Sequence, residues 1–251
     1  MISLKDRKVT IAIALTCFIM QPAFSWYSNS LYNFLNPNCA KIVLQLGGFS
    51  AHQGEDQDIG ITGLIGDRFT VTQHNDQNVL VGLGYYVDGP GYGMVNMMYG
   101  LNAFYLPHTE VKGNIIQEGM FTNLGYRYSV NNYPIYVAAK GQIFNDSNWY
   151  NVTFDLGLGA NVISTSDVNE RSLDGVTLPD HAFTGNTSAA FSATVGVGVK
   201  FNNVYRNVPV ECGYRFFYLG KGDFSKTTDQ LTSTLKTGDS YANALVCSVT
   251  V

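Results

Sequence analysis

Two histidines stand close to carboxylates in this sequence: His52 precedes Asp56 and Asp58, and His181 follows Asp180 directly. An imidazole oriented by a carboxylate acts as a general base, so both segments are candidates for hydrolytic chemistry. Asp and His are also ordinary residues of solvated loops, and no protease or acyltransferase motif surrounds either pair. The preferred reading is therefore not an enzyme, with a hydrolase using His52 or His181 as the last alternative. His74 and His108 fall at expected inner turns without an evident partner. No Cys/His spacing suits zinc and no phosphate-binding loop occurs, so neither a metal nor a cofactor is expected.

Six charges differ in kind, because each interrupts a run of alternating apolar residues: Arg127, Lys140, Asp155, Lys200, Glu211 and Arg215. On extended strands all six would point to the polar face, where a buried charge needs a partner. As a set they read as a network of ion pairs filling a narrow interior. The second reading is an anion-leaning pore, since four of the six are basic.

The elements that must position these charges begin after an export segment. Lys5, Arg7 and Lys8 precede the apolar run Val9–Met20, and Ala23-Phe24-Ser25 is a small-x-small cleavage site, so residues 1–25 read as a signal peptide. Cleavage before Trp26 removes Lys5, Arg7, Lys8 and Asp6, taking the formal net charge from −4 to −6. With no basic patch, nucleic acid is not an expected partner. No later segment carries the roughly 18 consecutive apolar residues of a membrane helix. Period-two alternation runs through the rest instead, as in Phe191, Ala193, Val195, Val197, Val199 and Phe201 against Ser192, Thr194, Gly196, Gly198 and Lys200. The polar faces are glycine-rich with isolated charges, and Tyr and Phe gather near the segment ends, as in an aromatic girdle.

These features predict an all-β chain: one transmembrane antiparallel up-and-down β-barrel over 41–251, preceded by a periplasmic leader over 26–40. Ten strands are preferred, at about 41–52, 58–72, 78–88, 94–106, 115–130, 134–144, 150–164, 189–202, 207–220 and 241–251, with eight as the alternative. Ten strands put the connections near 73–77, 107–114, 145–149 and 203–206 on the periplasmic side and the long ones, 165–188 and 221–240, outside. The signal peptide and the segments VLVGLGYY (79–86), FDLGLGANV (154–162) and VECGYRFFYLG (210–220) resemble small Gram-negative outer-membrane β-barrels of the OmpA-transmembrane-domain and OmpX type. The resemblance implies outer-membrane lipid and the barrel-assembly machinery as partners, and only the barrel half of the OmpA architecture. Such families usually end on an aromatic residue, whereas this chain ends at Val251.

Cleavage leaves Cys39, Cys212 and Cys247, an odd number. If the last two strands form a hairpin, Cys212 and Cys247 come opposite one another on the outward face, where a disulfide or two small lipid-facing residues are both open. Cys39 also approaches Cys247 if the first and last strands close the barrel. Residues 165–188 and 221–240 are polar and suited to surface exposure, which makes them the expected site for a surface ligand.

Overall fold

The computed structural model describes residues 40–144, 149–205 and 208–251. The expected signal peptide, the leader as far as residue 39, and Cys39 lie outside the described residues. In chain order the strands are β1 (Ala40–His52), β2 (Gln57–Ile59), β3 (Asp67–Gln73), β4 (Asn75–Tyr92), β5 (Val95–Gln117), β6 (Phe121–Ile143) and β7 (Tyr150–Thr165). They continue with β8 (Asn169–Ser172), β9 (Phe183–Thr184), β10 (Thr187–Tyr205), β11 (Val208–Gly220), β12 (Ser225–Lys226) and β13 (Ser240–Thr250).

Eight of these close on themselves. β1 pairs with β4, β4 with β5, β5 with β6, β6 with β7, β7 with β10, β10 with β11, β11 with β13, and β13 returns to β1, every pair antiparallel. The seam is set by Leu44 opposite Val249 and Ala51 opposite Ala242. Closure leaves no barrel edge with unpaired backbone, the condition for crossing hydrocarbon with strands.

The ring has eight strands, not ten. The 58–72 segment is the β2–β3 hairpin, which lies outside the ring, and the three expected strands over 94–144 are two long ones, β5 and β6. The break expected at 107–114 is a bulge. Leu106 pairs with Asn132 and Thr109 with Val130, so Pro107 and His108 face Asn131 alone. Pro107 has no N–H to lose. The His108 N–H is taken by Asn131 Oδ1 at 2.9 Å and the His108 carbonyl by Asn78 Nδ2 at 2.9 Å. A kinked but satisfied backbone thus passes through what looks like a turn.

Eight strands place both described ends of the ring, Ala40 and Val251, at one rim, with the 93–94 connection and the facing ends of β6, β7, β10 and β11. The other rim carries 53–74, 118–120, 166–186 and 221–239. The 73–77 connection, and with it His74 and His108, therefore belongs to this outer rim. Outward side chains form an apolar belt that includes Ile42, Leu44, Val81, Leu83, Leu101, Val137, Leu156, Leu158, Val197 and Leu245, all well exposed. Tyr105 stacks on Tyr133 at the outer margin, centroids 5.0 Å apart, and Trp149 meets Phe201 edge-on at the inner margin, 5.8 Å apart. From Tyr150 to Val162, β7 climbs roughly 30 Å at about 3.3 Å per residue and about 40° tilt, enough for an apolar band of about 25 Å.

Above the belt β5 and β6 continue outward. Their free sides are taken by β3 with β2, and by β8, giving the sheet order β2-β3-β5-β6-β8 outside the ring. The 166–186 and 221–239 segments fold against this sheet and pair through β9 and β12. The result is a cap with its own core of Phe69, Val111, Leu124, Tyr128, Phe183, Phe224, Leu231 and Leu235.

Candidate functional site

One row across the ring organises the lumen. Lys140 on β6 is the register partner of Asp155 on β7, Asp155 of Gly196 on β10, and Gly196 of Arg215 on β11. Gly196 is the gap that makes the row work. A Cβ there would stand 2.7 Å from an Asp155 carboxylate oxygen, blocking the path along which Arg215 reaches over. Arg215 Nη2 lies 2.7 Å from Asp155 Oδ1, both side chains buried. That contact is ionic and not an aligned hydrogen bond, for among the described residues Asp155 Oδ1 and Arg215 Nη1 have no hydrogen-bond partner.

Lys140 turns to the other acid. Its Nζ is 2.6 Å from Glu211 Oε2, and Thr153 Oγ1 donates to Glu211 Oε1 at 2.9 Å. Lys200, the register partner of Glu211, donates from Nζ to Gln142 Oε1 at 3.3 Å. Gln45 Nε2 donates to Asn102 Oδ1 at 2.9 Å, and Asn102 Nδ2 donates to Tyr86 Oη. The cavity beside Asp155, Arg215, Lys140 and Glu211 has a volume of about 20 Å³, space for a single water.

An apolar layer follows toward the outer rim. Phe104, Tyr136 and Phe217 touch one another with centroids 5.1 to 6.3 Å apart, joined by Phe49, Leu80 and Leu219. The Arg215 guanidinium lies 5.1 Å from the Phe104 ring centre, so the cation is shared between Asp155 and a π face. Gly82 clears the space for that ring, since a Cβ there would come within 2.5 Å of it. Higher still, the cap core continues the same inward faces.

In the cap, carboxylates hold loops by accepting backbone N–H groups. The buried Glu170 on β8 accepts from Asp180 at 2.8 Å, His181 at 2.9 Å and Ala182 at 3.3 Å. Asp174 accepts from Val176 and Thr177 N–H, both at 2.9 Å, and from the Thr177 and Ser172 hydroxyls. Those bonds, led by the Thr177 N–H, hold the Asp174 carboxyl far below the usual carboxylate range. Asp67 moves the other way: burial raises its pKa more than the Glu118 N–H lowers it, and the charges of Asp180, Glu118 and Glu170 add to the rise.

This is the outer-membrane type of β-barrel: an even-numbered antiparallel ring, both ends at one rim, large excursions at the other. Solved structures of similar architecture include the outer-membrane protein OprG from Pseudomonas aeruginosa, at 10% identity over 85% of this chain and 96% of that one, TM-score 0.48. Neisserial surface protein A matches at 11% identity, 84% and 96% coverage and TM-score 0.40. The outer-membrane protease OmpT from Escherichia coli matches at 9% identity, 84% and 93% coverage and TM-score 0.40. No protein-family model matches the sequence, and no curated relative does. Identities of this order carry no activity from one chain to another.

Of the six charges singled out in the sequence, Lys140, Asp155, Lys200, Glu211 and Arg215 share the lumen. Arg127 does not. It stands on the solvent face of the cap, 66% exposed, opposite Lys112 and 3.9 Å from Glu110. Sequence reasoning missed the pair Lys41–Asp88, 2.5 Å apart near the inner rim. Its signal was available, because Lys41 alternates with Val43 and Gln45 on one strand. Cys212 and Cys247 are register partners, and a disulfide joins them.

Among the described residues, neither His52 nor His181 meets a carboxylate through its ring. His52 Nδ1 is 2.8 Å from Asn75 Oδ1, and its ring stacks between Tyr241 at 4.8 Å and His74 at 5.2 Å. His181 is held through its backbone by Glu170. Asp56, the acid expected to orient His52, accepts the Val71 N–H at 2.7 Å instead.

Proposed function

We propose that the chain is a non-enzymatic surface protein of the bacterial outer membrane, its lumen closed by the charge network and its work done by the cap. The observation that carries this reading is the pairing of both central acids, Asp155 with Arg215 and Glu211 with Lys140, directly beneath the Phe104–Tyr136–Phe217 layer. A conducting pore needs solvated charges along a continuous path. Here Lys140 and Arg215 are paired with acids, Lys200 is held by the Gln142 amide oxygen, and the space beside the paired groups is about 20 Å³. The four-to-two basic excess behind the pore alternative also narrows once Arg127 leaves the lumen. A hydrolase acting through His52 or His181 would require an imidazole–carboxylate contact that neither ring makes among the described residues. Outer-membrane lipid around the belt and the assembly machinery are the partners this reading supplies, with a surface ligand met by the cap segments 165–188 and 221–240.

The test is single-channel recording of the refolded chain, residues 26–251, in a planar bilayer. A folded barrel without current is the expected result. Discrete ion steps that change on Lys140→Ala or Lys200→Ala would overturn the closed lumen in favour of an anion-leaning pore.

A further inference from the structure

The surface farthest from the membrane belt is unusually apolar. Three turns end there, each carrying a glycine at positive φ beside large hydrophobic side chains: Gly63 before Leu64 and Ile65, Gly119 before Met120 and Phe121, and Gly175 before Val176 and Leu178. Ile65 is 76% exposed, Val176 83% and Leu178 80%. The turns are tied into one face. Ile65 N–H donates to Glu118 Oε2 at 3.1 Å, Leu173 N–H to the Asn123 carbonyl at 2.7 Å, and Asn123 Nδ2 to Thr177 Oγ1 at 3.0 Å. The Asp174 carboxylate fixes the turn that displays Val176, so the exposed side chains are pre-organised. Monomeric surfaces rarely gather so many large apolar groups, and a fixed patch of this kind marks an interaction site.

Beside this apex, between the 60–67 turn and the β5–β6 turn, opens a cleft of about 540 Å³. Ile65 and Ile116 line it, with the carboxylates of Asp58 and Asp67 against one guanidinium, Arg68. Arg68 is only loosely engaged, 3.9 Å from both Asp56 and Asp58. Glu118, Asp174 and Asp180 add negative charge around the apolar turns and, among the described residues, outnumber the one further cation there, Arg171 beside Leu173.

We propose that this apex docks a protein segment of apolar side chains flanked by Lys or Arg, one of whose cations enters the cleft at Asp58 and Asp67. The inference rests on the surface-interaction reading above and names its site and partner chemistry. An apolar centre ringed by acids is complementary to an apolar centre ringed by bases. A second copy meeting apex to apex would set acids against acids, and an anionic lipid surface would be repelled by the same rim. An incoming cation would offset the partial burial of the Asp67 carboxyl and the negative charges of Asp180, Glu118 and Glu170 that act on it.

The test uses the chain refolded in phosphatidylcholine nanodiscs, with empty discs as background, and fluorescent peptides of alternating Leu and Arg, Leu and Glu, Ser and Arg, or Leu and Ser. The Leu/Arg peptide is expected to bind at least about tenfold more tightly than the Leu/Glu and Ser/Arg peptides. Replacing three exposed side chains, Ile65→Ser with Val176→Ser and Leu178→Ser, should weaken Leu/Arg binding by about tenfold. Asp58→Asn with Asp67→Asn should bring Leu/Arg binding down to the level of Leu/Ser. Equal affinity for all four peptides, no binding of Leu/Arg, or indifference to the serine variant overturns the proposal. So does flotation with phosphatidylcholine vesicles, or self-association in sedimentation, that the serine variant abolishes; these outcomes assign the apex to a lipid surface or a second copy. The two readings fail separately. A conducting chain that still binds Leu/Arg sinks only the closed lumen, and a silent chain that does not bind sinks only this inference.

Discussion

The lower and upper halves of β6 are one continuous strand with opposite chemistry. From Leu124 to Gln142 the even-numbered residues point inward. Below the rim those positions are Asn132, Tyr136, Lys140 and Gln142, while Tyr133, Ile135 and Val137 face out. Above it the inward residues are Leu124, Tyr126, Tyr128 and Val130, while Arg127 and Ser129 face out. The surroundings explain the inversion. Where lipid lies outside, apolar side chains are consumed outward and the interior is left to polar groups that must satisfy one another. Where water lies outside, the hydrophobic effect pulls the same kinds of side chain inward. The barrel interior is therefore held by paired charges beneath one apolar layer, and the cap by apolar burial throughout.

Breaking the barrel's specification should have the largest effect. Arg215→Leu strands Asp155 in the lumen and is expected to lower stability by about 3–5 kcal/mol, read by urea titration in lipid vesicles. Arg215→Leu with Asp155→Leu should recover most of that loss, which a simple packing defect would not allow. The cap's counterpart is Phe224→Ala, a cavity in a core, with an expected cost of about 3 kcal/mol. Its signature is proteolytic nicking within 166–186 or 221–239 while the barrel keeps its folded mobility on gels. Glu170→Gln removes the charge that three N–H groups share and should loosen 180–182 by about 1–2 kcal/mol, read by hydrogen exchange.

Acid gives the smallest and most local effect. Asp174 has a folded pKa below its ordinary 3.8, so its contribution is fully present above that value and is lost as pH falls through the lower folded one. Asp67 has a folded pKa above 3.8, so protonating it favours the cap, a contribution lost as pH rises through the raised value. Acidification should thus free the Val176 and Thr177 amides to exchange while those near Asp67 hold, with barrel amides unchanged.

The same inversion governs how much was legible in the sequence. Segments that stay in lipid on one face, such as Tyr150–Thr165 and Ser240–Thr250, were readable because one polarity rule holds along them. Residues 107–134 were not. Pro107 and the Asn131–Pro134 stretch look like turns, and the apolar positions above them belong to a core instead of to lipid. Taking Arg127 as a membrane-level position put it in the lumen, the turn-like Pro107 split two long strands into three, and the 58–72 hairpin, which alternates like a strand, was counted into the ring. Five lumen charges were legible because each interrupts an apolar run within the belt. The cap was hidden in polar loops, for Val168, Phe183, Phe224, Leu231 and Leu235 are too widely spaced to show a period, and only folding gathers them.

The central claim is that the outer excursions are a folded body and not mobile loops on a barrel. Hydrogen exchange of the refolded chain in nanodiscs tests it most directly, amide by amide, along β5 and β6. The account predicts that residues 109–130 exchange as slowly as the membrane-embedded halves of the same strands, and that Phe224→Ala releases only the outer set. Complete exchange of 109–130 within the shortest labelling time, in the unaltered chain, would contradict it.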